Sequence, residues 1–182
     1  MNLPNYITLF RIFLVPVFFS VLISYHEGKD SVRWAALGIF ALAAATDALD
    51  GFLARVTKHQ TPLGRFLDPF ADKLLILSGF LGILALKGLP YRPPAWVTVT
   101  IVFRDLIIVV GMIVIFLLTG DIRIKPNFVG KMTTAAQMTS LILILMASPF
   151  SIYFCYLTAA LTILSLFIYL IRDTRRLAST HG

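Results

Sequence analysis

Residues 35–86 read "AALGIFALAAATDALDGFLARVTKHQTPLGRFLDPFADKLLILSGFLGILAL". Two apolar runs flank the basic loop "ARVTKHQTPLGR" at 54–65. Each run approaches the roughly 20 apolar residues that a bilayer-spanning helix needs. Aspartates interrupt both runs near the loop: Asp47 and Asp50 before it, Asp68 and Asp72 after it. A charged side chain in the middle of a membrane helix costs roughly 2.5 to 3.5 kcal/mol on insertion scales, and residues kept at that cost mark functional sites.

The rest of the chain agrees with a bilayer as its solvent. Of 182 residues, 58% are hydrophobic and 14% charged, and the mean hydropathy is +0.87. A soluble domain is nearer half apolar and about a quarter charged. Apolar periodicity and breaker segments give six spans, at about 7–24, 33–53, 66–86, 95–118, 132–147 and 152–171. Polar or Gly/Pro-rich segments separate them, among them "YHEGKDS", "KGLPYRPP", "TGDIRIKPNFVGK" and "SPFS". With no linker, repeat or low-complexity tract, residues 1–182 read as one domain. The fold class expected is an all-α integral membrane protein, six transmembrane helices in one bundle.

Orientation follows from lysine and arginine. Arg55, Lys58, Arg65, Arg123, Lys125, Lys131, Arg172, Arg175 and Arg176 collect on one side, while Lys29, Arg33, Lys87 and Arg92 lie on the other. The richer side should be cytoplasmic, which puts both termini and the aspartates there. The start, "MNLPNYITLFRIFLVP", lacks the basic n-region and small-residue cleavage site of a secretory signal; the first span is expected to remain in the mature protein. The net charge of +7 suits contact with anionic lipid heads. No basic stripe interleaved with aromatics suggests nucleic acid as a partner. Cys155 reads as a small buried hydrophobe, and His26, His59 and His181 as solvated loop or tail residues.

Asp47 and Asp50 are three apart and share a helix face. Gly51 and Ala54 sit one turn beyond them, where a small residue lets a ligand approach the backbone. On the next span Gly64, Asp68 and Asp72 recur every fourth residue. Two adjacent antiparallel helices would turn all four carboxylates toward one point. So much like charge needs compensation. An oxygen-only donor set suits Mg2+, Mn2+ or Ca2+ rather than Zn2+. Four negative charges match two divalent ions, a frequent device of phosphoryl chemistry. Arg55, Lys58, Arg65 and Lys73 stand close by to hold phosphate oxygens.

"DALDGFLAR" followed by "GRFLDPFAD" resembles the signature of the CDP-alcohol phosphotransferase family, D-x-x-D-G-x-x-A-R and then G-x-x-x-D-x-x-x-D. All eight fixed positions are present: Asp47, Asp50, Gly51, Ala54, Arg55, Gly64, Asp68 and Asp72. The opening "LPNYITLFRI" looks like the family's amino-terminal segment at Pro4, Asn5, Thr8 and Arg11. The resemblance implies transfer of a phosphatidyl group from CDP-diacylglycerol to an alcohol, with release of CMP. It implies that Asp47, Asp50, Asp68 and Asp72 hold two divalent cations, Mg2+ or Mn2+, and that Asp72 is the general base. Asn5, Thr8, Asp50, Gly51, Ala54, Arg55 and Gly64 would receive the CDP donor. A homodimer in the bacterial inner membrane, its site facing the cytoplasm, is expected with it.

The acceptor is read elsewhere. The start, the signature and "GKMTTAAQM" are most similar to the phosphatidylglycerophosphate synthase branch, whose acceptor is glycerol 3-phosphate. Arg104 and Lys131 would then bind the acceptor phosphate; an arginine within a span needs an anion, and Arg104 could pair instead with Asp105. That branch usually reads R-E at Arg104-Asp105, with a second arginine where this chain has Met112. The R-D pair and Lys125-Pro126 resemble instead the cardiolipin synthases of the superfamily, whose acceptor is phosphatidylglycerol. A rival of another class, a divalent cation transporter, would place its ions near the midplane between repeats with broken helices; no repeat is visible here. Thr133, Thr134 and Gln137 form a polar face suited to the acceptor pocket or to helix–helix hydrogen bonding.

Overall fold

The computed structural model describes residues 3–57, 62–119 and 128–180. These form six α-helices: α1 (Leu3–Ile23), α2 (Asp30–Thr57), α3 (Pro62–Ala85), α4 (Ala95–Thr119), α5 (Phe128–Leu145) and α6 (Ser151–Thr180). Each overlaps an expected span, and most outrun it. Hydropathy marks the apolar part of a helix, whereas the backbone ladder continues until something stops it. Asp30 places an acid in the first turn of α2, where the helix dipole favours negative charge. Pro62 opens α3, a position whose missing N–H costs nothing. The charged segment "RDTRR" continues α6 rather than ending it. α5 closes with Ser148 N–H on Leu143 C=O and Ala147 N–H on Ile144 C=O, both at 2.9 Å. That pair is a Schellman cap, with Ala147 in the left-handed region at φ 53°.

α1 packs against both α2 and α3, which touch each other only lightly. The neighbouring-helix arrangement expected for the aspartates is therefore mediated by α1. α4 joins α3 to α6, α6 packs along α5, and α5 reaches back to α2 and α3. Small residues let α1 settle close to its neighbours. A Cβ at Gly82 would stand 2.5 Å from Leu22 Cδ2, and one at Gly79 3.0 Å from Leu141 of α5. Phe18 of α1 meets Phe40 of α2 with ring centroids 5.6 Å apart. Around these contacts Leu22, Leu75, Ile76, Phe80, Ile83, Leu141 and Ile144 form a core closed to solvent.

The exterior is rich in large apolar side chains, and a set of polar residues lies buried beside the apolar core. Phe13, Phe103, Leu117, Phe128, Phe150 and Tyr153 are all exposed. Arg11, Lys73, Arg104, Asp105, Thr133 and Gln137 are buried. Among the described residues, Tyr6–Ile23 and Phe128–Leu145 are helical segments long and apolar enough to cross a membrane, with mean hydropathy 2.2 and 1.3.

Gly82→Val is expected to force α1 off α3, because Leu22 is buried and has nowhere to go. Overpacking of this kind costs roughly 1 to 3 kcal/mol. A lowered thermal-unfolding midpoint of the detergent-purified protein is the check.

Candidate functional site

One aspartate of each pair, Asp47 and Asp72, meets an arginine that the spacing argument passed over. Arg11 of α1 is fully buried, and its Nη1 lies 2.6 Å from Asp47 Oδ1 and 2.7 Å from Asp72 Oδ1. One carboxylate comes from α2 and the other from α3. Because both touch the same nitrogen, they fall within the span of a single bound ion or ion pair. Each side chain remains partly open, Asp47 at 33% and Asp72 at 25%, so a ligand can reach them from the side away from Arg11. The guanidinium answers the crowding of like charge from within the protein, and its planar fork suits two carboxylates at once.

Helix geometry places the other signature residues by backbone alone. α2 carries Asp50, Gly51, Ala54 and Arg55 beyond Asp47; α3 carries Gly64 and Asp68 before Asp72. The side chains of Asn5, Asp50, Gly51, Ala54, Arg55, Gly64, Arg65 and Asp68 lie outside the described residues, as does Lys58 altogether. Among the described side chains there is no group of three potential metal ligands. Asp47 and Asp72 are two carboxylates of an oxygen-only set, and that donor chemistry fits a hard divalent cation. Thr8 is buried on α1, one turn before Arg11.

Lys73 does not stand free to hold donor phosphates. Its Nζ is buried and lies 3.2 Å from Asp105 Oδ1, 3.2 Å from Thr134 Oγ1 and 3.5 Å from Gln137 Oε1. Three acceptors use the three donors of an ammonium group. Arg104 is also buried, donating from Nη1 to Asp105 Oδ1 at 2.7 Å and from Nη2 to Ser165 Oγ at 2.6 Å. Gln137 Nε2 donates to Asp105 Oδ2 at 2.9 Å. The polar face of α5 thus serves helix–helix hydrogen bonding, and Thr133 likewise reaches Leu161 C=O of α6 at 3.3 Å.

The acceptor residues Arg104 and Lys131 differ in their settings. A Cβ on Gly130 would stand 4.0 Å from Arg104 Nη2, and the next residue, Lys131, is exposed. Arg104 is oriented by its neighbours while Lys131 is left to the surroundings.

Arg11→Gln would leave two carboxylates facing each other without their shared cation. Removing one partner of a fully buried ion pair costs roughly 3 to 5 kcal/mol; partial exposure reduces this to about 1 to 3 kcal/mol. A lower unfolding midpoint is expected, and adding Asp47→Asn to the same chain should restore part of it, a coupling that a double-mutant cycle measures.

Residues 1–169 match the family model described as CDP-alcohol phosphatidyltransferase. The chain is 36% identical over 161 residues to the "CDP-diacylglycerol--glycerol-3-phosphate 3-phosphatidyltransferase" of Bacillus subtilis, covering 83% of this chain and 80% of the relative. It is 34% identical over 178 residues to a protein of the same name from Sodalis glossinidius, covering 93% of each. A "Probable phosphatidylglycerophosphate synthase" of Mycobacterium tuberculosis is 39% identical over 144 residues, 77% of this chain and 64% of that protein. The carboxylates gathered by Arg11 therefore lie in a signature matched along nearly the whole chain, and the protein belongs to the CDP-alcohol phosphatidyltransferase family.

Proposed function

We propose that the protein is a membrane-embedded phosphatidyltransferase, moving the phosphatidyl group of CDP-diacylglycerol onto a hydroxyl of glycerol 3-phosphate. The products are phosphatidylglycerophosphate and CMP. The observation that carries this is the junction of Asp47 and Asp72 at Arg11, inside a family signature whose similar relatives are named for that reaction. Those names do not favour phosphatidylglycerol as the acceptor, and family membership does not favour a cation transporter.

The apolar exterior and buried polar layer fit six spans crossing a bilayer as one domain over residues 1–182, with both termini and the aspartates on the cytoplasmic side. A bacterial cell membrane and a homodimer accord with the family. At that interface a lipid donor and a water-soluble acceptor meet.

Two divalent cations, Mg2+ or Mn2+, would be held by Asp47, Asp50, Asp68 and Asp72 and would offset charge on the donor pyrophosphate. Asn5, Thr8, Gly51, Ala54, Arg55 and Gly64, together with Asp50, would receive the CDP moiety. Arg104 and Lys131 would hold the acceptor phosphate. Asp72 would take the proton from the acceptor hydroxyl as that oxygen bonds to the phosphatidyl phosphorus and the bond to CMP breaks. The Arg11 contact at Asp72 Oδ1 orients this carboxylate.

Protein purified with CDP-diacylglycerol and Mg2+ or Mn2+ is expected to release CMP with glycerol 3-phosphate; no release with any alcohol acceptor would overturn the reading. Asp72→Asn should reduce turnover by roughly a hundredfold to ten-thousandfold, the usual contribution of a general base. CDP binding, followed by calorimetry, should be largely kept. Loss of that binding would make Asp72 a ligand to the donor site rather than its base.

A further inference from the structure

Four helices converge on one carboxylate that the proposed reaction does not itself use. Asp105 is 1% exposed. Its Oδ1 accepts from both Lys73 of α3 and Arg104 of its own α4, at 3.2 and 2.7 Å. Its Oδ2 accepts from Gln137 of α5 at 2.9 Å, and the other end of Arg104 is tied to Ser165 of α6. Two cations share this single anion, so Arg104 is held firmly yet keeps charge to offer an external anion. Lys73 follows Asp72 directly in the chain, so the same hydrogen bonds tie the backbone beside Asp72 to the guanidinium of Arg104.

We propose that Asp105 is a positioning residue: it holds the Arg104 guanidinium in place for the acceptor phosphate and, through Lys73, ties it to the backbone beside Asp72. The proposal rests on the functional reading above. In that reading the acceptor's hydroxyl lies at Asp72 and its phosphate at Arg104 and Lys131. When the strut is loosened, the phosphate anchor drifts while the donor side, built on α2 and α3 around Arg11, is left in place. The acceptor's KM and the donor's KM therefore part company.

The test is steady-state CMP release by the purified full chain, varying glycerol 3-phosphate and CDP-diacylglycerol in turn. Wild-type protein that releases no CMP overturns the functional reading and this proposal with it. With an active wild type, Asp105→Asn is expected to raise the KM for glycerol 3-phosphate roughly tenfold to a hundredfold, the usual effect of removing an orienting partner. The donor KM should stay within about twofold. Asp105→Glu, which keeps the charge, should lie between the two. Gln137→Met, which removes only the Oδ2 donor, should shift the acceptor KM in the same direction by a smaller factor, and it serves as the readout should Asp105→Asn not fold. An unchanged acceptor KM in Gln137→Met and in any folded Asp105 variant overturns the proposal. So do equal shifts in both KM values, which mark a merely structural carboxylate.

Discussion

The contact of Arg11 with Asp47 and Asp72 is the constraint around which the bundle is arranged. α2 and α3 carry the aspartates but barely touch, so their relative position is set by the helix between them. α1 meets α2 through Phe18 and Phe40 and α3 through the groove at Gly82. Apolar packing fixes the approach, and the guanidinium fixes the register. Burying an arginine and orienting two carboxylates is costly unless the charges answer one another, and here Arg11 answers both carboxylates.

A second polar layer lies beside the first. Lys73, Arg104, Asp105, Thr134, Gln137 and Ser165 join α3, α4, α5 and α6 by side-chain hydrogen bonds. In a bundle with so apolar an exterior, contact between apolar side chains does little to choose one helix partner over another, because lipid offers the same surroundings. Small residues and interhelical hydrogen bonds carry the specificity instead. This accounts for the placement of buried polar groups at the depth of the aspartates rather than along the outer faces. It also joins the two halves of the proposed chemistry mechanically: Asp72 and Lys73 are consecutive on α3, one turned to Arg11 and the other to Asp105.

A buried arginine's need for an anion pointed to Asp105 as a partner of Arg104 where spacing did not. Consecutive helix residues do not face each other, and periodicity gives no reason to pair them. The length of the arginine side chain nonetheless brings its Nη1 within 2.7 Å of Asp105, and its Nη2 continues to Ser165 on α6. Lys73, near the donor phosphates by its place in the chain, instead lies within the α3–α4–α5 contact. Both outcomes depend on which way a long flexible side chain turns, which the neighbouring helices decide.

The sequence alone determined six helices, their order, the pairing of Asp47 with Asp50 and of Asp68 with Asp72, and the family signature. These are local properties: apolar periodicity, breakers and spacing within one helix act over a few residues. Helix ends were less legible, because hydropathy reports where lipid would begin and not where backbone hydrogen bonding stops, as α6 shows. Only the tertiary structure decided that α1 stands between the aspartate helices, that Arg11 gathers their carboxylates, and that Asp105 ties Arg104 to Lys73. Those contacts join residues 61 and 32 positions apart. No local periodicity encodes them, since each exists only after apolar packing has brought separate helices together.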